Sequence, residues 1–138
     1  MNKLQVHTIS NDDKKDILAN VIFIHGLDGG HQTTWSKDGN GNLFWPLWLD
    51  QEFTNLKIYS LEYPAKLTKW CIGGKGDMDL IIRAISVNSY LHSYGLYDNP
   101  VIIICHSLGG ILAKQPPQAP LSTGATAMPF LKFWRILS

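Results

Sequence analysis

The chain has 138 residues, enough for one small domain with a single core and too few for two ordinary ones. Hydrophobic residues make up 45% and charged residues 17%, which excludes a disordered or charge-driven polymer. Lys and Arg number 12 against 11 Asp and Glu, a formal charge of +1, so the composition carries no electrostatic footprint for nucleic acid.

Two cysteines, Cys71 and Cys105, are too few for a disulfide framework and have no metal-ligand spacing, so both read as reduced thiols. The first 16 residues include Asp12, Asp13, Lys14, Lys15 and Asp16, where a secretory signal needs an unbroken apolar stretch. The longest apolar run, Val101 to Cys105, falls far short of the roughly 20 residues that span a bilayer. A soluble, cytoplasmic chain is the expectation from these features.

In chain order, Leu4 to Ile9 alternates apolar and polar side chains, as an outer strand does. Asn20-Val-Ile-Phe-Ile-His25 is a continuous β-branched and aromatic run ending at Gly26, the pattern of a strand buried on both faces. His31 to Gly41 reads as an exposed loop. Phe44-Trp-Pro-Leu-Trp-Leu49 opens a helix with Pro46 in its first turn. Core is the expected place for Trp35, Trp45 and Trp48, with contact to an acyl chain or membrane interface as the alternative.

Lys57 to Leu61 predicts a second strand, ended by Tyr63-Pro64. Gly73-Gly-Lys-Gly-Asp77 lacks the Walker spacing and its hydroxyl residue, so it reads as a loop and not as a phosphate cradle. From Asp77 to Tyr94, Leu80, Ala84, Val87, Leu91 and Tyr94 recur at spacings of four and three, one helical stripe with Gly95 as its terminator. Pro100 to Cys105 is the strongest strand signal. Strand, helix and parallel strand make a crossover unit, so the fold class is α/β: a mostly parallel sheet of three or four strands with helices on both faces.

Cys105-His106-Ser107-Leu108-Gly109-Gly110 follows that strand directly and precedes the apolar Ile111-Leu-Ala-Lys114. A nucleophilic serine on a sharp strand-to-helix turn needs small residues two before and two after it, which Gly109 satisfies and Cys105 satisfies in part. His25-Gly26-Leu27, at the end of the earlier strand, supplies a loop whose amide can face such a serine. Acyl transfer needs two N–H donors at the developing oxyanion, and the amides of Leu27 and Leu108 are the candidates.

Val21 to Gly30, Thr34-Trp35, Phe44 to Leu49 and Ile102 to Gly110 together resemble the α/β-hydrolase superfamily. The resemblance is to its lipase-like branch, which includes the serine-active-site-containing proteins and the inositol deacylases of glycolipid anchors, and it covers about residues 18 to 115. It implies the N-terminal half of an α/β-hydrolase fold in residues 1–115, with Ser107 as nucleophile and an ester or lipid-like small-molecule substrate. It implies no cofactor and no metal. His25, Gly26, His106 and Gly109 are then supporting residues of the site. Relatives in this branch often work at organelle or endoplasmic reticulum membranes, so the resemblance sets peripheral membrane contact beside the cytoplasmic expectation.

In this fold the acid and the histidine of the triad follow the serine, yet Leu108 to Ser138 contains no Asp, Glu or His. His106 adjoins Ser107 on a tight turn where neighbours point apart, His25 belongs to the loop it braces, and His7, His31 and His92 have no motif around them. Gln115 is followed by Pro-Pro-Gln-Ala-Pro-Leu-Ser-Thr-Gly-Ala-Thr-Ala-Met-Pro, so residues 116–138 read as an irregular tail in place of the expected strands. The expectation is a chain cut short by truncation or frameshift, without turnover of its own and with an exposed sheet edge open to self-association. A non-catalytic fragment or interaction module is the alternative reading.

Overall fold

A computed structural model describes residues 3–39, 43–65 and 76–114. Four strands form one sheet: β1 (Gln5–Thr8), β2 (Ala19–Ile24), β3 (Leu56–Glu62) and β4 (Val101–Cys105), in the order β1-β3-β2-β4. β1 runs antiparallel to β3, while β2 is parallel to both β3 and β4. Three helices accompany them: α1 (Trp45–Glu52), α2 (Gly76–Ser93) and the short α3 (Gly109–Lys114). The α/β class, the outer strand near the amino terminus and the helices before and after β3 agree with the sequence reading.

β2 is buried along its whole length, as a strand covered on both faces must be. Its side chains alternate between two cores. Ile22 and Ile24 join Tyr59 and Leu61 of β3 under Ala84, Val87 and Leu91 of α2 and Leu112 of α3. Val21 and Phe23 join Ile58 and Trp35 on the opposite face, against Trp45 and Leu49 of α1. Helices therefore lie on both faces.

α2 ends as Gly95 allows. Gly95 has φ +79°, the Leu96 amide donates to the Leu91 carbonyl at 3.1 Å, and the Gly95 amide donates to that of His92 at 2.9 Å. This is the double bond of a Schellman end, sealed by Leu91 and Leu96 in the same core. Tyr94, the last member of the predicted stripe, lies beyond the helix and is half-exposed.

The segment from His31 onward departs from the expected exposed loop. It carries a single 3₁₀ turn at Thr33–Trp35, and Trp35 is buried edge-on to Phe23, with ring centroids 5.0 Å apart. The three tryptophans divide: Trp35 is core and Trp45 packs against it, but Trp48 is exposed. The reason is helical phase, because Pro46 and Asp50 take the buried side of α1 and leave Trp48 on the outer side. Cys71, residues 66–75 and the tail over 116–138 lie outside the described residues.

Candidate functional site

Ser107 follows β4 after one residue and precedes α3 by one, with φ +51°. A non-glycine residue is rarely held in this left-handed region, and it stays there only when its surroundings enforce it. Backbone hydrogen bonds on either side of Ser107 enforce it. The His106 amide donates to the Ile24 carbonyl at 3.0 Å, which extends the β2–β4 ladder one step past Cys105. The Gly109 and Gly110 amides donate to the carbonyls of His106 and Ser107, both at 3.0 Å, closing the turn into α3. Ser107 is exposed at the apex.

Two glycines make room for this turn. A Cβ on Gly109 would stand 2.3 Å from the Ile24 carbonyl oxygen and 2.6 Å from that of His25, so α3 begins flush against the end of β2. A Cβ on Gly26 would stand 2.8 Å from the Ser107 Cβ and 2.9 Å from the His106 carbonyl oxygen. The backbone of the loop after β2 therefore runs directly beside the serine. The amides of Leu27 and Leu108 donate to no backbone carbonyl among the described residues. Cys105 is buried and forms no disulfide among the described residues.

His25 is fully buried and stacks on Tyr63, with ring centroids 4.3 Å apart and planes 14° apart. Its Nδ1 donates to the Gly26 carbonyl at 2.9 Å, which makes it a brace of the loop. Its Nε2 has no hydrogen-bond partner and lies 3.8 Å from Glu62 Oε1. Burial lowers the His25 pKa, against the opposing pull of the Gly26 carbonyl and the Glu62 carboxylate. The ring is therefore neutral at pH 7. Burial raises the Tyr63 hydroxyl well above the usual phenol range, which keeps it a donor to the His25 carbonyl at 2.5 Å.

His31 and Glu62 form a pair that no motif announces. Glu62 Oε2 accepts from the His31 backbone amide at 2.9 Å and from His31 Nδ1 at 2.7 Å. His7 of β1 stacks on His31 with centroids 3.7 Å apart and planes 7° apart. Burial pushes the Glu62 carboxyl up, but the hydrogen bonds from His31 and the electrostatic influence of the neighbouring imidazoles outweigh it and hold it below the usual carboxylate range. His7 is held below its ordinary value by burial and then by His31. These side chains border an open cleft of about 550 Å³ together with Gly29, Gly30 and Thr33. The one available sequence signal was position: Glu62 ends β3, at the carboxyl edge of a parallel sheet where ligand sites collect.

Among the described residues no group of three or more His, Cys, Asp or Glu is placed to hold a metal ion. No helix among them is long and apolar enough to cross a membrane.

No family model matches the chain, and no solved structure does. The chain is 32% identical to Protein SERAC1 of Mus musculus over 115 residues and 31% identical to that of Homo sapiens over 115 residues. It is 32% identical to Protein SERAC1 of Danio rerio over 117 residues. Each match covers 72% of this chain and 18% of the relative, so the chain spans less than a fifth of the length of these curated proteins. What this chain resembles is thus one segment of Protein SERAC1.

Proposed function

We propose that residues 1–115 are the nucleophile-bearing part of a serine ester hydrolase of lipase-like, α/β-hydrolase type, with Ser107 as nucleophile and the Leu27 and Leu108 amides as the oxyanion hole. The observation that carries this reading is the left-handed, exposed Ser107 between β4 and α3, with the Gly26 backbone against its Cβ. The similarity to Protein SERAC1 and the resemblance read from the motifs support it. In this reading the Ser107 hydroxyl passes its proton to a general base as its oxygen attacks the ester carbonyl carbon. The carbonyl electron pair moves onto oxygen, where the two amides donate to it, and the base returns the proton to the departing alcohol oxygen. Collapse expels the alcohol and leaves an acyl-serine, which water hydrolyses. His25, Gly26, His106 and Gly109 support the turn and the loop. The chemistry calls on no cofactor and no metal.

Leu108 to Ser138 contains no Asp, Glu or His, so the acid and histidine that activate such a serine are not among these residues. A non-catalytic module built on hydrolase architecture is the second reading, and that absence favours it. The test is a fluorophosphonate probe followed by intact mass and peptide mapping, alongside turnover of a simple ester. Slow adduct formation confined to Ser107, lost in Ser107→Ala, with no ester turnover, fits a nucleophile site without its base. Labelling unaffected by Ser107→Ala overturns the nucleophile assignment. Ester turnover that Ser107→Ala abolishes shows a base supplied elsewhere in the chain and overturns the non-catalytic reading.

A further inference from the structure

Residues 25–31, which carry the Leu27 amide past Ser107, are tied at both ends to the carboxyl end of β3 and the residues after it. At the near end, the Tyr63 hydroxyl donates to the His25 carbonyl at 2.5 Å. In the middle, the Asp28 amide donates to the Ala65 carbonyl at 2.8 Å. At the far end, Ser60 Oγ donates to the His31 carbonyl at 2.6 Å, and Glu62 Oε2 accepts both the backbone and the ring N–H of His31. Glu62 spans the two ends, because its other oxygen faces the buried Nε2 of His25 at 3.8 Å. One carboxylate thus holds the last residue of the loop by two hydrogen bonds and lies close to the first.

We propose that Glu62 is a positioning residue for the hydrolase site: by fixing His31 through two hydrogen bonds and facing His25 across the loop, it sets the direction in which the Leu27 amide meets Ser107. This rests on the reading of Ser107 and Leu27 given above. A charge-assisted pair of N–H bonds to one carboxylate is stronger and more directional than the two neutral bonds from Ser60 and Tyr63, so it is the term that defines the loop's course. The assignment also accounts for a carboxylate held largely out of water at a strand end. The groups that surround it are His7 from β1, His25 after β2, His31 in the loop, Tyr63 after β3, and His106 after β4, which acts on His25. Lys3 lines the same cleft.

Glu62→Gln keeps the shape and removes the charge, and the test follows it by amide-resolved hydrogen exchange and by the rate of fluorophosphonate adduct formation at Ser107. The expected result is exchange at least tenfold faster at Asp28, Gly29 and His31, unchanged protection at Ile22 and Ile103, a shifted Leu27 amide resonance and adduct formation at least tenfold slower. Unchanged exchange and unchanged adduct rate overturn the proposal, as does faster exchange spread evenly over the sheet. Should Glu62→Gln fail to fold, His31→Gln removes the ring N–H while keeping the backbone amide, and the same local pattern is expected or the proposal falls. Ser107→Ala serves as control: adduct formation that survives it sinks the Ser107 reading, whatever the loop does.

Discussion

Gly109 and Ile24 meet backbone to backbone, and the space between them is smaller than one methyl group. The start of α3 is thereby seated on the last carbonyl groups of β2, which fixes the turn that presents Ser107. Gly109→Ala forces a carbon to within 2.3 Å of that carbonyl, where no flexible side chain can yield. Overpacking against backbone costs about 1–3 kcal/mol, and urea denaturation is expected to show a loss at the upper end of that range.

Ser107→Gly has the opposite expected sign. A non-glycine residue in the left-handed region costs about 1–2 kcal/mol, which glycine does not incur. The variant is expected to gain about 1 kcal/mol in denaturation midpoint analysis while losing all probe labelling at this position. A loss of stability instead would mean that the hydroxyl contributes more than the strained backbone costs.

Lys14 is the third case. Its ammonium lies 2.6 Å from Asp50 Oδ1 and donates to the carbonyls of Asp50, Phe53 and Leu56 at 2.8–2.9 Å, closing the carboxyl end of α1. Asp50 also accepts from Ser10 Oγ, and Ser10 Oγ in turn accepts from the Ile58 amide at 2.7 Å. Lys14→Met keeps the aliphatic stem and leaves a mostly buried carboxylate without its cation. A loss of about 2–4 kcal/mol is expected in denaturant titration, and Lys14→Met combined with Asp50→Asn is expected to recover part of it.

Acid and alkali should destabilise the chain by different groups. His25 and His7 have folded pKa values below their ordinary 6.5, so they bind protons less readily when folded. Their contribution is complete above pH 6.5 and falls away as the pH drops beneath it. Glu62 is held below its ordinary 4.5, so its contribution is present above that pH and is lost as the pH falls through its lowered value. On the other side, burial pushes the Tyr97 hydroxyl up to about 12, so its contribution is intact below pH 10 and is lost as the pH rises toward 12. Melting temperature across a pH series is expected to be flat from 6.5 to 10 and to decline on both sides.

Among the described residues β4 forms one border of the sheet, and its five residues, Val101 to Cys105, include no charge, proline or bulge to discourage another strand. Ile102 and Ile104 are only partly covered on the α1 face. We expect self-association through this border, read as a rise in sedimentation coefficient across a concentration series, and Ile104→Lys to reduce it. A coefficient independent of concentration would refute this.

The sheet was legible because burial on both faces writes itself as an uninterrupted apolar run, as in Val21 to Ile24 and Val101 to Cys105. The serine turn was legible because steric demand restricts position 109 to glycine, whatever the rest of the chain does. The Glu62–His31 pair was not, since it joins residues 31 apart with no periodicity between them, and only the parallel pairing of β2 with β3 brings their ends together. Trp48 failed for a related reason: its neighbours fix which side of α1 faces inward, and an aromatic residue by itself does not.

The side chains of β2 feed two separate cores, Ile22 and Ile24 into one and Val21 and Phe23 into the other. Lifting that strand would empty both cores at once, so neither half can melt ahead of the other. A single calorimetric transition, with its enthalpy matching the van't Hoff value, is the thermodynamic signature of such a shared beam.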